Sequence, residues 1–585
     1  MTTTETDSSA IPRDPSKTEW RYYAVLGLLI VALWVPRFHG PIDMRWDGGV
    51  HYVLGTSIAE GKGYRLLNEP GEIEAIQYPP LLPLIVAAHQ TILGTSDPLV
   101  VGEWLRRSFF AIFFAYILSI YMVLKSHLLR NIAFIGTVVC LFHSRMYFMS
   151  ELLFPEILFG LATTSFVLVS QRDTTRTCAV AAGLLGMVAF GLRTIGVALL
   201  AAWVFDSLLN RNFKGAALRC AVALVPLLFW QAYISSVVSG PEYNHPTYDY
   251  QRAEYMFYNV SYAKNIFALK DPFSPELGRA SFHDIATRVL RNLEKLPQSL
   301  GEAVSADRLS YEGPWRAFDL PFPISTPWMV DVVLFILGCL VLIGIVLQLK
   351  RRKWLLPLYV LLSISIICLT PWPEQLPRYL MPLMPFLVLG LFTSFLALAN
   401  ILGRFKSLGT KCMALSIFLI LILQFMTVGV VYTRLHQEVT FLDRKGNWRN
   451  YRLFFYRDAH RAFDAALDWL LENAKPPDVL AGSMPHWMYL RTGLQSVLPP
   501  LEADPVKAQA LLDSVPVSYL LLDEELAVDT KRYMDSVVQR FPERWEQVYT
   551  DSFVPERGKD VPGTLSIYRR VGLPQAETNV SVGGM

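Results

Sequence analysis

Charged residues are scarce in this chain. Of its 585 residues, 18% are Asp, Glu, Lys or Arg and 52% are hydrophobic. Soluble globular domains carry about 25% charged residues, so this balance excludes an ordinary soluble protein. The formal net charge is only +3, and no basic tract argues for a surface that binds DNA or RNA. The composition therefore predicts a chain that lies mostly in lipid.

Recognisable sequence signatures are also few. The six cysteines lie within or at the ends of apolar stretches, without a C-x-x-C spacing, so the long polar loops contain no disulfide framework. The chain has no Walker A loop, no H-E-x-x-H, no G-x-S-x-G and no dinucleotide fingerprint after a strand. These motifs are typical of nucleotide-binding, zinc-dependent and serine-dependent sites. The absence of these motifs argues against a nucleotide-binding, zinc-dependent or serine-dependent site of those types in this chain.

Long apolar runs, in contrast, are abundant. Runs near 20 residues predict membrane-spanning helices, because backbone polar groups in hydrocarbon must be satisfied within the segment. We predict about eleven spans in a polytopic α-helical membrane protein. They cover 21–37, 107–124, 131–148, 152–170, 178–192, 195–209, 216–238, 327–348, 354–371, 380–402 and 411–433.

Basic residues in short loops predict the orientation, because such loops stay in the cytoplasm. All the basic loops fall on one side if the N-terminus is cytoplasmic and the apolar segment 81–93 returns to the surface without crossing. This arrangement predicts a cytoplasmic tail over residues 1–20 and a transmembrane catalytic domain over 21–433. It leaves two long loops, 38–106 and 239–326, on the exterior face.

The rest of the chain has the pattern of a small exterior domain. Residues 434–572 alternate helical periodicity with short apolar runs, which indicates an α/β fold. Three helices are expected, at 457–474, 507–514 and 529–541. Four strands are expected, at 479–482, 519–523, 545–549 and 564–569, the last two at sheet edges. The tail 573–585 is expected to be disordered.

A polar, glycine-rich stretch after the first span contains a lone carboxylate, Asp47. Asp is a favoured N-cap, so Asp47 could cap a helix beginning near Gly48, could be catalytic, or could do both. Asp47 and His51 could also meet on one helix face, although one such pair is weak evidence for a metal. A second exterior turn offers Glu151 and Glu156, which fit either helix capping or a shared polar site.

Arginines are expected on the same face. Arg378, beside Tyr379, and Arg193 lie at exterior turns, where each could bind a phosphate at headgroup depth or anchor its helix at the interface. Arg106 precedes the second span on the side where basic residues are unusual. Either an anionic partner or Glu103 could neutralise the charge of Arg106.

Several short motifs occur in a defined order along this face. Asp47 follows the first span, the glycine-containing run Ala59 to Tyr64 comes next, and Tyr78 begins Tyr-Pro-Pro-Leu before an apolar helix. Further matches are Arg106, Ser150-Glu151, the Gly183-to-Arg193 segment and Arg378-Tyr379-Leu380. Together they resemble the GT-C superfamily of polyprenyl-phosphate-dependent glycosyltransferases. The nearest branch is the protein O-mannosyltransferase, aminoarabinose transferase and RgtA/B/C/D-like group, over residues 20–435.

The resemblance implies a glycosyltransferase that moves a sugar from a polyprenyl-phosphate donor to an extracytoplasmic acceptor. The acceptor could be a glycolipid, a polysaccharide or a protein. The implied reaction is an inverting displacement with Asp47 as general base, because a phosphate leaving group needs charge stabilisation more than a general acid. The expected site residues are Asp47 and Glu151 for catalysis, Arg378, Tyr379, Arg106 and Arg193 for the donor phosphate, and Tyr64, Tyr78 and His51 in the substrate loop.

One departure from the GT-C pattern concerns metals. Many relatives place a second acid directly after the catalytic Asp, whereas Gly48 and Gly49 follow Asp47 here. We therefore expect no obligatory metal and no cofactor besides the lipid-linked sugar; a divalent metal would need Glu151 or His51 in place of the missing acid. The expected partners are the lipid-linked donor, the extracytoplasmic acceptor and membrane lipids, without nucleic acid.

The expected location is a bacterial inner membrane, crossed many times, with the active site on the extracytoplasmic face. Two other functions stay open at this point: a transporter or flippase of a lipid or saccharide, and a non-catalytic scaffold for envelope assembly. Transporters usually carry ionisable residues at the midplane and inverted repeats. In this chain no repeat is found, and the polar residues gather on one face.

Overall fold

The computed structural model describes residues 19–171, 175–317, 327–401, 406–443, 445–454, 456–526, 528–554 and 562–572. These residues form a mostly helical region followed by a C-terminal α/β domain. Most of the expected cytoplasmic tail 1–20 and all of the expected disordered tail 573–585 lie outside the described residues.

Within the described residues, five helices are long and apolar enough to cross a membrane, judged by length and composition: Pro98–Lys125, Phe213–Ser239, Trp328–Lys350, Pro373–Ile401 and Ser407–Arg434. Shorter apolar helices are Leu81–Leu93, Arg130–Leu141, Glu156–Ser170, Arg176–Leu192, Thr194–Leu209 and Leu355–Ile367. The chain is therefore a multi-pass membrane protein. The expected number of about eleven spans is not confirmed.

Capping residues move two span boundaries away from the predicted ones. The predicted span 107–124 begins at Pro98, because the Asp97 side chain accepts from the Leu99 amide at 2.9 Å and a proline fits the first helical position. The predicted span 131–148 is interrupted after Leu141, where His143 caps a separate short helix. Apolar composition carries no information about such caps.

Two helices of the first exterior loop pack tightly together. They are Asp47–Ala59, called the loop helix below, and Leu81–Leu93. A Cβ added at Gly55 would lie 2.6 Å from the Cβ of Val86, so only glycine permits this approach. Leu81–Leu93 has 13 residues, about 20 Å at 1.5 Å per residue, which is too short to cross the hydrocarbon alone. That it turns back at the surface stays a prediction.

The second exterior loop contains the helix Phe282–Val304, which begins with a capping box formed by Ser281 and Asp284. This helix packs along the span Pro327–Lys350 at two glycines. A Cβ at Gly301 would lie 2.0 Å from the carbonyl oxygen of Leu334, and one at Gly338 would lie 1.9 Å from the carbonyl oxygen of Pro297. Small residues allow such close backbone contacts between helices in membranes.

The C-terminal domain contains seven strands: β1 His436–Leu442, β2 Trp448–Phe454, β3 Val479–Ala481, β4 Ser496–Val497, β5 Val517–Asp523, β6 Trp545–Phe553 and β7 Gly563–Arg570. Strands β1 and β2 form an antiparallel hairpin that was not expected. The other five form one sheet in the order β4-β3-β5-β7-β6, parallel between β4, β3 and β5 and antiparallel at β7.

The helices of this domain are Asp458–Asn473, Pro485–Thr492, Pro505–Asp513 and Val528–Arg540. Three of them and the strands β3, β5 and β6 confirm the sequence prediction. The prediction that β7 lies at a sheet edge is wrong, because β7 pairs with β5 on one side and β6 on the other. The proposed domain boundary at residue 434 stays a prediction.

Backbone hydrogen bonds join this domain to the first exterior loop. The Ser496 amide of β4 donates to the Asn68 carbonyl at 2.7 Å, and the Asn68 side chain donates to the Ser496 carbonyl at 3.0 Å. At a second contact, a Cβ on Gly49 would lie 3.0 Å from the Cβ of His486. The domain therefore covers the start of the loop helix.

We expect Gly338→Ala to destabilise the protein by about 1–3 kcal/mol, because the added methyl group overlaps the Pro297 carbonyl. Thermal unfolding of the purified protein in detergent measures the change. Gly313→Ala is the matched control, since a Cβ there meets nothing within 4 Å. Equal losses of melting temperature in the two variants would contradict this packing.

Candidate active site

Asp47 is the first residue of the loop helix rather than its cap. The N-cap position belongs to Trp46, whose φ of 54° is unusual for a bulky side chain, and no side-chain hydrogen bond caps this helix end. Trp46 is held by the Arg45 guanidinium, 4.7 Å above its ring, and Arg45 is itself paired with Asp43 at 2.7 Å. The Asp47 carboxylate is therefore directed to partners outside its own helix.

Those partners form a line of alternating charges, called the site network below. Arg378 Nη2 donates to Asp47 Oδ2 at 2.6 Å, and its Nε donates to Glu156 Oε1 at 3.0 Å. Arg193 Nη1 donates to the same Glu156 oxygen at 2.6 Å. The Tyr258 hydroxyl donates to Asp47 Oδ1 at 3.1 Å. Two carboxylates and two guanidinium groups thus neutralise one another.

Helix ends and turns bring these groups together. Glu156 follows Pro155 in the first turn of Glu156–Ser170, where the helix dipole favours a negative charge. Arg193 immediately follows the helix Arg176–Leu192, and Arg378 lies in the short helix Leu376–Leu380. The Arg378 guanidinium also lies 4.4 Å from the Phe154 ring centroid.

A backbone bridge ties Asp47 to the turn that carries Glu156. The Asp43 amide donates to the Glu151 carbonyl at 3.0 Å, and the Leu153 amide donates to the Asp43 carbonyl at 2.9 Å. The main chain is therefore held by hydrogen bonds a few residues before Asp47 and a few residues before Glu156, the two acids that Arg378 joins.

The surroundings of Asp47 determine its charge. Burial raises the pKa of Asp47, but the adjacent Arg378 guanidinium outweighs burial and holds this pKa below its usual value. Burial lowers the pKa of His51 to about 4 and that of His486 to about 3. At neutral pH Asp47 is therefore ionised while both nearby imidazoles are neutral.

The two glycines after Asp47 have a steric explanation. A Cβ at Gly48 would lie 3.3 Å from the Asp43 carbonyl oxygen and 3.5 Å from the Leu153 Cβ, and one at Gly49 would crowd His486. A side chain at position 48 would therefore require the Asp43 carbonyl, which is part of the backbone bridge, to shift by a few tenths of an ångström.

Two cavities meet at the site network. The first, of about 490 Å³, lies between the helical region and the C-terminal domain and is called the domain-side cavity. The second, of about 400 Å³, lies among the ends of apolar helices and is called the helix-side cavity. Residues that line both are Asp47, Gln77, Tyr78, Tyr262, Arg378 and Tyr379.

The two cavities differ in their remaining walls. Apolar residues from several helices form much of the helix-side cavity, among them Leu192, Val197, Trp230, Ile234, Ile366 and Ile367, and its polar members include Arg193, His51, Thr194, Gln231, Ser261 and Thr370. Aromatic and polar residues surround the domain-side cavity, among them Trp46, Glu69, Phe148, Tyr258, Trp372 and His486. One cavity is therefore suited to a lipid and the other to a more polar molecule.

Most of the site residues predicted from sequence lie here. Asp47, Arg378, Tyr379, Arg193, Tyr78 and His51 line one or both cavities. Tyr64 lines neither, but its hydroxyl donates to the Tyr78 carbonyl at 3.0 Å and so supports the cavity wall.

Glu151 and Arg106 are not brought to Asp47. They form a buried ion cluster with Arg37, in which Arg106 Nη2 lies 3.2 Å from Glu151 Oε2 and Arg37 pairs with the other Glu151 oxygen. Neither residue lines the two cavities. The expected catalytic role of Glu151 and phosphate-binding role of Arg106 therefore lack support. Because Arg106 lies inside the helix Pro98–Lys125, its charge requires a buried partner, and Glu151 supplies it.

Two contributors to the site were not predicted from sequence, and a third was not distinguished from its neighbour. Glu156 was recognised only as one of two acids at a helix start, and the signal that favours it is Pro155, which makes it the first residue of the helix. Tyr258 lies in an aromatic-rich loop without a distinctive motif. His486 belongs to the C-terminal domain, and nothing local in its sequence indicates its close approach to Gly49 of the loop helix. Among the residues that the structure describes, no group of three or more His, Cys, Asp or Glu is arranged to hold a metal ion.

A helical region and a C-terminal α/β domain, with a charged site between them, form an architecture that this chain shares with solved structures. No family model matches the chain, and no curated protein matches it by sequence. An oligosaccharyltransferase of Archaeoglobus fulgidus, solved with Zn and sulfate, is similar in structure with a TM-score of 0.52 and 12% identity, over 91% of this chain and 72% of that one. The likeness shows that the chain has the GT-C fold, as the motifs indicated.

Two further solved structures are similar to this chain. AglB from Archaeoglobus fulgidus, in complex with an inhibitory peptide and a dolichol-phosphate, has a TM-score of 0.51 and 12% identity, over 93% of this chain and 75% of that one. ArnT from Cupriavidus metallidurans, bound to undecaprenyl phosphate, has a TM-score of 0.48 and 11% identity, over 94% of this chain and 98% of that one.

The ion pair at the centre of the site can be measured by a double-mutant cycle. We expect Arg378→Gln to cost about 3 kcal/mol, because Asp47 and Glu156 lose their shared partner. Adding Asp47→Asn to the Arg378→Gln variant should restore about 1 kcal/mol or more of its free energy of unfolding, since the second substitution removes one unpaired charge. Thermal unfolding is the measurement. Arg107→Gln is the control, because Arg107 is half-exposed and lies 3.8 Å from Glu103. If the losses of stability caused by Asp47→Asn and Arg378→Gln were strictly additive, the coupling would be refuted.

The lowered pKa of His51 predicts acid sensitivity. Unfolded His51 takes up a proton below about pH 6.5, whereas folded His51 does so only near pH 4 because it is buried. Stability should therefore fall as the pH decreases through this window, by up to about 1.4 kcal/mol per pH unit for this one proton. We expect His51→Gln to reduce the slope of melting temperature against pH between 6.5 and 4. His245→Gln, at an exposed position, should leave it unchanged, and equal slopes in all three proteins would contradict the prediction.

Proposed function

We propose that this protein is a membrane glycosyltransferase that moves a sugar from a polyprenyl-phosphate donor to an extracytoplasmic acceptor. The observation that carries the proposal is the Asp47 carboxylate, paired with Arg378 where the two cavities meet. A reactive carboxylate between a lipid-suited cavity and a more polar one is what transfer from a lipid carrier requires. The site belongs, in this proposal, to the extracytoplasmic face of a bacterial inner membrane, because the basic short loops fall on the opposite face.

The donor occupies the helix-side cavity. Its apolar walls suit the first units of a polyprenyl chain, and Arg193 and Arg378 supply guanidinium groups for the phosphate. Tyr379 lies beside both, with its ring centroid 5.6 Å from the Arg193 guanidinium. AglB, which shares the fold, was solved with a dolichol-phosphate, and this supports a lipid phosphate as ligand. No cofactor besides the lipid-linked sugar is proposed.

Asp47 acts as the general base. While Arg378 holds it, the pKa of Asp47 is low and the carboxylate is a weak base. A donor phosphate competes for Arg378, which weakens the Arg378–Asp47 pair and makes Asp47 more basic. Donor binding thus prepares the base for the acceptor.

The acceptor enters from the domain-side cavity. Its hydroxyl or amine gives a proton to Asp47 and attacks the sugar carbon that bears the phosphate, from the side opposite the leaving group. The carbon–oxygen bond to the phosphate breaks, and the configuration at the carbon inverts. Arg378 and Arg193 stabilise the charge that develops on the departing polyprenyl phosphate, so that a protonating acid is unnecessary.

We expect Asp47→Asn to reduce sugar transfer by about 10²–10⁴-fold, the usual contribution of a general base. The measurement uses the purified full chain in vesicles with radiolabelled polyprenyl-phosphate sugars and an extract of envelope acceptors. Asp458→Asn is the matched control, since Asp458 is an exposed acid of the C-terminal domain. Undiminished transfer by Asp47→Asn would refute the assigned base, and failure of the wild type to consume any donor would refute the enzyme.

A further inference from the structure

The domain-side cavity contains a second buried acid that the proposed reaction does not use. Glu69 is 2% exposed and lines this cavity together with Asp47. Its carboxylate accepts a hydrogen bond from the Tyr248 hydroxyl at 2.6 Å and one from Gln251 Nε2 at 3.3 Å, both at Oε2. Asn259, which also lines the cavity, lies against the same carboxylate. An ionised carboxylate offers about four acceptor positions, so Glu69 can accept one further hydrogen bond. A desolvated carboxylate oxygen in a cavity wall is a strong acceptor for a ligand's O–H or N–H group.

Three polar atoms in residues that line the same cavity lack a protein partner. They are Nε2 of His486, Nε1 of Trp372 and Oε1 of Gln77, all buried from solvent and without a hydrogen bond within the described part of the chain. The His486 side chain is almost wholly buried, at 3% exposure. Buried polar groups without partners are rare because each one costs free energy. The cavity therefore presents both donor and acceptor positions to whatever it binds.

Aromatic rings form much of the remaining wall. Phe257 lies 5.0 Å from Phe273 and 6.2 Å from Trp372, centroid to centroid, and all three line the cavity. Flat rings pack against the C–H faces of a sugar ring, while carboxylates, amides and imidazoles bind its hydroxyl groups. Aromatic faces with a few placed polar atoms fit a compact polyhydroxylated molecule better than an ion or a purely apolar one.

The cavity lacks the feature that would favour a peptide. Extended peptides commonly bind by adding a strand to a free sheet edge. The nearest candidate is β4, which is followed in the chain by the cavity residues Leu498 and Leu501. Its outer edge is already taken, because Ser496 exchanges two hydrogen bonds with Asn68 of the first loop. A peptide entering here would find the backbone N–H and C=O groups of Ser496 already paired.

We infer that the acceptor is a saccharide, whose hydroxyl groups bind Glu69 and His486 in the domain-side cavity while one hydroxyl faces Asp47. This inference rests on the proposed function and names the substrate class of the same site. Glu69 is an acceptor-binding residue in this assignment and takes no part in bond breaking. The saccharide could be free or carried on a lipid, since the chemistry recognised is the same.

The test compares acceptors and variants in vesicles that contain the full chain and a panel of polyprenyl-phosphate sugars. Three acceptor sets are supplied: an array of free oligosaccharides, the same oligosaccharides on a lipid anchor, and peptides containing Ser, Thr and Asn. Donor hydrolysis by water is recorded in parallel, as an activity that needs no acceptor. We expect transfer to one of the two saccharide sets. Comparing transfer to the free and to the lipid-anchored oligosaccharides shows which of the two forms is the acceptor.

The variants report on Glu69 itself. Glu69→Gln should raise the acceptor KM by about 10–100-fold, as expected for the loss of a hydrogen bond to a charged group, with kcat and donor hydrolysis nearly unchanged. Trp372→Phe keeps the aromatic wall, removes the free N–H and should raise the same KM more weakly. Glu72→Gln is the matched control, because Glu72 lies in the same loop, is 38% exposed and pairs with Lys62. Melting temperatures show whether each variant is folded.

The outcomes separate this inference from the function on which it rests. Transfer to peptides alone, or donor hydrolysis without transfer to any acceptor, would overturn the saccharide assignment and leave the enzyme standing. An unchanged acceptor KM in folded Glu69→Gln and Trp372→Phe would overturn the assigned contacts. If the wild type neither hydrolyses nor transfers any donor sugar, the proposed function fails and this inference fails with it.

Discussion

The bridge that Arg378 makes between Asp47 and Glu156 is the interaction on which the site depends. Three separate parts of the chain supply these groups: an exterior loop, the start of one apolar helix and the approach to another. Asp47 and Arg378 are mostly buried, and Glu156 is fully buried. None of the three charges would be tolerated there alone, because an unpaired buried charge costs several kcal/mol. The helix ends are therefore positioned by the same contacts that set the charge of the site.

This bridge also explains how one site can serve two different molecules. Asp47 and Arg378 line both cavities, so a ligand on either side changes the electrostatic surroundings of the other. An anion beside Arg378 competes with Asp47, and a hydrogen-bond donor beside Asp47 competes with Arg378. Coupling of this kind needs no movement of a domain, only the exchange of partners within the site network.

The sequence predicted the class of fold and, as site residues, both members of the Asp47–Arg378 ion pair, and the reasons for the limits are local. Apolar runs identify helices in a membrane, and glycine, proline and charge in the loops pointed to Asp47 and Arg378. Glu151 and Glu156 could not be distinguished from sequence. Which arginines each one pairs with depends on Pro155 and on the burial of Arg106. The contact of His486 with the loop helix crosses more than four hundred residues, and neither periodicity nor spacing carries that information.

The close approach of His486 to Gly49 has a consequence for how the protein is made. The helical region is synthesised and inserted first, whereas the domain-side cavity needs residues as late as Thr530 for its wall. Until Thr530 has been synthesised, the nascent chain therefore contains Asp47 without a finished cavity around it. The order of the polypeptide itself delays the assembly of the complete site.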